Sequence, residues 1–260
     1  MDHLTLYSHA EEPAPPLHLG VINDCFGTEI LALLQAVPNV RISAGTAVEI
    51  VRLHEEATFD AALLPPHEAF RFPHHPLAPG VGVFAPADYD GVCISHAMPR
   101  GTLQRVHHLP ADEGLALLYA ISHRAQFGAL LPCVPGRPDG GLQDAALVST
   151  PDTGCEMLHS ESASVAGAWH EATGLPAPFR VWACRHRAPY SRLRQVLGSV
   201  HRTLPSAPQP LDAWEVEPVR PVAASLYYQL GSLESDALRK YHALLVEAGR
   251  CGAGTDFQYC

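Results

Sequence analysis

The chain has 260 residues, 47% of them apolar, which is enough to bury a large core or two lobes of ordinary size and argues against disorder. Seventeen Lys plus Arg stand against 27 Asp plus Glu, a formal net charge of −10, so no basic surplus exists to match a phosphate backbone and a nucleic-acid partner is excluded. The seven cysteines show no CxxC spacing and no paired framework, which points to reduced thiols in a cytoplasmic setting. Met1–Leu6 lacks the basic start and apolar run of an export signal. No run of about 18 apolar residues predicts a membrane span.

The elements are predicted in chain order as follows. Residues 9–16 read as a loose leader, and Leu17–Ile22 is a short apolar run of buried-strand type. Turn chemistry over 23–29 follows, with Thr28 as the expected N-cap of a helix whose apolar face is Ile30, Leu31, Leu33 and Leu34. The rhythm repeats: a strand at 40–42, a helix over 46–56, and a strand at 59–64 ended by Pro65-Pro66. Further strands are expected at 80–84, 91–95, 104–109, 144–148 and 179–184. Helices are expected over 114–127 and up to Thr173, the latter capped by Gly174. Beyond Ser191 the pattern turns helical at 191–202, 221–229 and 235–249, with a proline-rich surface loop at 205–221. Alternating strands and helices predict mixed sheets flanked by helices. Ligands on such sheets sit beyond the carboxyl ends of the strands, which selects the loops 23–28, 65–68, 85–91, 110–114 and 149–153.

Several segments, in this order, resemble the chorismate dehydratase family of the futalosine route to menaquinone. The most specific is Trp169-His170-Glu171-Ala172-Thr173-Gly174-Leu175-Pro176-Ala177-Pro178-Phe179-Arg180-Val181-Trp182-Ala183, against a family pattern W-x-E-x-T-G-L-P-x-x-F-x-V-W-A. Asp60–Pro65 is similar to the family's D-x-x-L-I-P, and the similarity covers about residues 17–250. The resemblance implies an α/β, periplasmic-binding-protein-like type II fold with a cleft between two lobes. It implies a larger lobe of 1–97 and 179–260 and a smaller lobe of 98–178. It also implies a cofactor-free lyase that removes water from a small carboxylate substrate, chorismate. The related 1,4-dihydroxy-6-naphthoate synthases and a non-catalytic small-ligand binder are the alternatives. The family's serine in its G-P-V-x-S loop falls on Gly91, and its S-x-T-S helix start reads Asp112-Glu113-Gly114-Leu115.

Asn23 and Asp24, at the end of the first strand, are the candidate catalytic pair, able to orient a ligand or move a proton; an Asx turn would use the same residues. Thr28 is a candidate ligand contact or simply a cap. Tyr89, Asp90 and Gly91 lie in the serine loop. Asp112 and Gly114 open a helix whose N-terminus favours anions, although the acidic pair there opposes a second negative charge. Pro65 ends a strand, and His67 just beyond it is a candidate general base. Ser149 and Thr150 offer hydroxyls after a central strand. The histidines, including His67, His74, His75, His107 and His108, have no metal-ligand spacing, so no metal is expected. Cys25 has no histidine nearby in sequence to activate it. Trp169, Trp182 and Phe179 are expected in the core.

Overall fold

The computed structural model describes residues 15–138, 141–149, 161–185, 188–204 and 226–252. The expected leader, apart from 15–16, and the whole of the expected 205–221 loop lie outside the described residues.

Two mixed sheets form the molecule. The first is built from β1 (Leu17–Ile22), β2 (Val40–Gly45), β3 (Ala61–Leu64), β4 (Leu77–Ala85), β10 (Ala177–Cys184) and β11 (Tyr227–Leu230), in the order β11-β4-β10-β3-β1-β2. β1 runs parallel to β2 and β3, and β10 runs antiparallel to β3 and β4. Five strands form the second sheet: β5 (Val92–His96), β6 (Arg105–His108), β7 (Cys133–Pro135), β8 (Asp144–Ser149) and β9 (Glu161–Ser164), in the order β7-β6-β8-β5-β9. Helices α1 (Thr28–Gln35), α2 (Ala47–Glu55), α3 (Pro66–Ala69), α4 (Glu113–Phe127), α5 (Val165–Thr173), α6 (Tyr190–His201) and α7 (Ser232–Glu247) connect and cover them. No helix among the described residues is long and apolar enough to cross a membrane.

Local chemistry accounts for several boundaries. Thr46 and Glu49 form a capping box at α2, each satisfying the other's orphan backbone donor. The block Trp169–Ala183 folds as one helix-to-strand corner. The Thr173 hydroxyl donates to the Trp169 carbonyl at 2.8 Å, Gly174 takes the left-handed φ of 72°, and the Trp169 indole N–H donates to the Pro176 carbonyl at 2.9 Å. The chain then enters β10, which is buried at all eight positions. Trp169, Trp182 and Phe179 are all core residues.

Three expectations are corrected. Val92–His96 hydrogen-bonds to β8 and β9 and so belongs to the second sheet, which places the crossing from sheet to sheet between β4 and β5 rather than at 97/98. Thr28 is not the N-cap: Gly27 holds that position, and the Thr28 hydroxyl donates back to the Asp24 carbonyl at 2.7 Å. Tyr227–Leu230 is a strand paired with β4, where the sequence reads as helix from 221.

His54 makes the fold acid-sensitive. Its ring is fully buried, with Nε2 at 2.9 Å from His75 Nδ1 and the Phe72 ring edge-on at 5.1 Å. Burial, then the neighbouring His75, holds it down to about 4. The folded state therefore keeps His54 neutral while the unfolded chain takes a proton near pH 6.5. Its contribution is complete above 6.5 and is lost as pH falls toward 4, roughly 3 kcal/mol in all. Urea unfolding at pH 7.5 and 4.5 measures this loss; His54→Leu should flatten it, and an unchanged acid limb in that variant would refute the assignment.

Candidate functional site

The carboxyl ends of β1 and β3 face the start of α4 across a cleft between the sheets. One part of this cleft is organised by a buried ion pair. Asp24 Oδ1 accepts from the Phe26 and Gly27 amides at 3.0 and 2.9 Å, forming an Asx-type turn, while Oδ2 accepts from Arg180 Nη2. Arg180 projects from β10, is 3% exposed, donates from Nη1 to the Phe179 carbonyl at 2.8 Å, and lies 4.9 Å over the Phe26 ring. Phe26 meets Phe179 edge-on at 5.1 Å, and Phe179 meets Tyr89 at 5.9 Å. The family-like block thus packs Phe179 and Arg180, both buried, against the β1–α1 loop.

Cys25 sits among these groups. Burial, then the Asp24 carboxylate, pushes its thiol up to about 11; Arg180 opposes the rise and Asp112, from the other lobe, adds to it. Tyr89 is pushed up to about 12, by burial first and then by Cys25, Asp90 and Cys93. Tyr228, from β11, donates to the Glu29 carboxylate, and burial with that bond raises its phenol far above the ordinary range. Burial and the Asp24 carboxylate therefore favour the thiol over the thiolate at Cys25. Its alkylation by iodoacetamide at pH 8 should be about a hundredfold slower than that of an unperturbed thiol. Peptide mass spectrometry checks this, and labelling at the free-thiol rate would contradict it.

A second part of the cleft is a groove of about 360 Å³ between α2, α3 and the start of α4. Pro65, His67, Glu68 and Arg71 line one side, and Pro110, Glu113 and Gly114 the other. Arg71 donates to Glu68 at 2.6 Å and to Glu55 at 3.1 Å, and Glu68 stands 3.4 Å from His67 Nε2. A methyl group on Gly114 would stand 2.8 Å from His67 Cε1 and 3.2 Å from Pro65 Cβ. Gly114→Ala should therefore cost about 1–2 kcal/mol by overpacking between the lobes. Thermal unfolding of that variant with and without His67→Ala separates the causes: relief in the double variant is expected, and simple additivity would sink the account.

Of the residues selected from sequence, Asp24, Tyr89 and Asp112 come together around Cys25, with Asp90 acting on Tyr89, and Pro65, His67 and Gly114 meet around the groove. Asn23 is exposed at the loop's start, its backbone N–H donating to the Gly45 carbonyl at 2.8 Å, and Thr28 is exposed on the first turn of α1. Gly91 lies under Tyr89, whose ring would meet any side chain placed there, so the expected serine does not fit beside Tyr89 in its present position. Ser149 ends β8 opposite Val92, and Thr150 lies outside the described residues. Sequence reasoning missed Arg180, Tyr228 and Glu29. Arg180 carries a usable signal, since it is the one charged residue in an otherwise apolar buried strand.

No protein-family model matches the chain, and no curated protein matches it in sequence. Among solved structures, it is similar to protein AF1704 from Archaeoglobus fulgidus, with 12% identity, 92% of this chain and 99% of that one covered, and a TM-score of 0.58. It is also similar to the ligand-binding component of an ABC-type import system from Staphylococcus aureus, solved with zinc bound, with 11% identity, coverage of 94% and 96%, and a TM-score of 0.56. The fold is that of the periplasmic binding proteins. At these identities the likeness extends to architecture and not to activity. Among the described residues, no three potential ligands are grouped to hold a metal ion.

Proposed function

We propose that the protein binds a small carboxylate in the interlobe cleft and acts on it as a hydro-lyase of the chorismate dehydratase kind. The observation that supports this reading is the packing of the family-like block on the β1–α1 loop, where Phe179 meets Phe26 and Arg180 pairs with Asp24. In such a reaction a base takes a proton from a ring carbon, hydroxide leaves, and the ring becomes aromatic, so the substrate itself supplies much of the driving force. The protein's part is to orient the ring and move two protons. We assign proton transfer to His67, which lines the groove, and to Asp112, which acts on Cys25 from the opposite lobe. Incubation of the purified protein with chorismate should bleach the cyclohexadiene absorbance and give a product lighter by one water. A well-folded protein with no turnover would end the lyase reading.

One observation favours a second reading, a binding protein without chemistry. Arg180 is already neutralised by Asp24, and Asp112 opposes a second negative charge, so a dicarboxylate meets little compensation among the described residues. Thermal stabilisation by a carboxylate ligand with no product formed would support it. Formation of a naphthoate from cyclic dehypoxanthine futalosine would instead select the related synthase activity.

A further inference from the structure

The second sheet carries a pocket that the cleft does not use. It measures about 430 Å³ and lies between β9, α5 and the segment after β5, with His96, Arg100, Glu161, Ser162 and Glu171 on its walls. That volume suits a small molecule. Glu171 and Gly167 are four apart on α5 and therefore share one helix face toward the pocket. His96 and Glu161 are cross-strand partners of β5 and β9.

The polar groups define the ligand. His96 is 4% exposed, and its Nδ1 donates to the Met98 carbonyl at 2.9 Å, with Glu161 Oε2 at 3.7 Å. A carbonyl can only accept, so Nδ1 carries the proton and in the neutral ring Nε2 is left as an acceptor. That buried nitrogen has no hydrogen-bond partner. An unmet buried acceptor costs about 1–3 kcal/mol, which a ligand donor would recover. Arg100 Nη2 donates to Glu171 at 2.7 Å, and the guanidinium has further N–H groups to offer. The Arg100 carbonyl faces His123 Nε2 at 2.9 Å, which fixes the residue's backbone. Two carboxylates and one guanidinium leave the walls net negative, so a bare anion is disfavoured.

We propose that this pocket is a second ligand site, for small zwitterions of the amino-acid class, with the ligand ammonium directed to His96 and Glu161 and its carboxylate to Arg100. The site is independent of the cleft and of the lyase reading.

The test uses the full chain labelled with 15N-histidine and the twenty common L-amino acids, with glycine betaine and acetate as probes lacking an N–H donor. His96 is assigned by the signal missing in His96→Gln. At least one amino acid should move the His96 ring signals in a saturable way, with betaine and acetate silent. Arg100→Gln should weaken that binding at least tenfold while keeping a dispersed amide spectrum. Because Arg100 and Ser162 lie nearer the surface, Arg100→Gln and Ser162→Ala keep the test open if His96→Gln fails to fold; the His96 signal is then the one they perturb in common. No movement with any amino acid, equal binding of betaine, or unchanged affinity in Arg100→Gln would each overturn the proposal.

Discussion

Arg180→Met should lower the free energy of unfolding by about 3–5 kcal/mol, because it leaves the Asp24 carboxylate without its counter-charge in a half-buried loop. Asp24 is 22% exposed on its side chain and Arg180 3%, so water cannot replace the guanidinium from that side. The loss should exceed that of an ordinary surface ion pair, about 1 kcal/mol at most. Arg180→Met combined with Asp24→Asn should cost clearly less than the sum of the two single changes, since the uncompensated charge is then absent. Urea unfolding of the four proteins measures this cycle. A single-variant loss below about 1 kcal/mol would mean that the pair is solvated and that the β1–α1 loop is held by the Asx turn alone.

Gly27→Ala should be nearly as damaging, by about 3 kcal/mol or more. The backbone at Gly27 is ordinary, φ −94°, so conformational freedom is not the issue. The reason is space: a methyl group there would run into the Ile22 carbonyl oxygen and stand 3.1 Å from Val21 Cγ1. Both neighbours belong to β1, which is hydrogen-bonded on both sides by β2 and β3, so the loop must move instead. Moving it breaks the bonds from the Phe26 and Gly27 amides to Asp24 and displaces Cys25 in the cleft. Thermal unfolding and ligand-induced stabilisation should fall together in this variant. Normal stability with normal ligand response would show that the loop tolerates the shift and that its shape does not define the site.

These two sites also show which parts of the molecule could be read from the chain. Where structure rests on neighbours in sequence, most of the reading holds, although the cap of α1 falls on Gly27 rather than Thr28. The Thr46–Glu49 box, the Gly174 cap and the apolar run of β10 all encode their own geometry. Short elements that depend on distant partners are less visible. β9 is Glu-Ser-Ala-Ser and has no apolar alternation; only its pairing with β5 makes it a strand. β11 lies where the sequence reads as helix and is a strand because β4 offers it an edge. The same limit applies to the site. The loops at the carboxyl ends of the strands were legible from the βα rhythm. The pairing of Asp24 with Arg180, 156 residues away, and the seating of Tyr89 over Gly91 follow from tertiary packing, which leaves no local signature.

The register between β4 and β10 has one more consequence. Ala85, the last residue of the outgoing strand, lies directly opposite Ala177, the first of the returning one. The five-stranded sheet and its helices are therefore spliced into the turn of what would otherwise be a plain β-hairpin. Both tethers leave the larger sheet side by side, so they define a single axle rather than two separate joints. Any opening or closing of the cleft has to swing about that axle, and Arg180, three residues from it on β10, lies almost on the pivot.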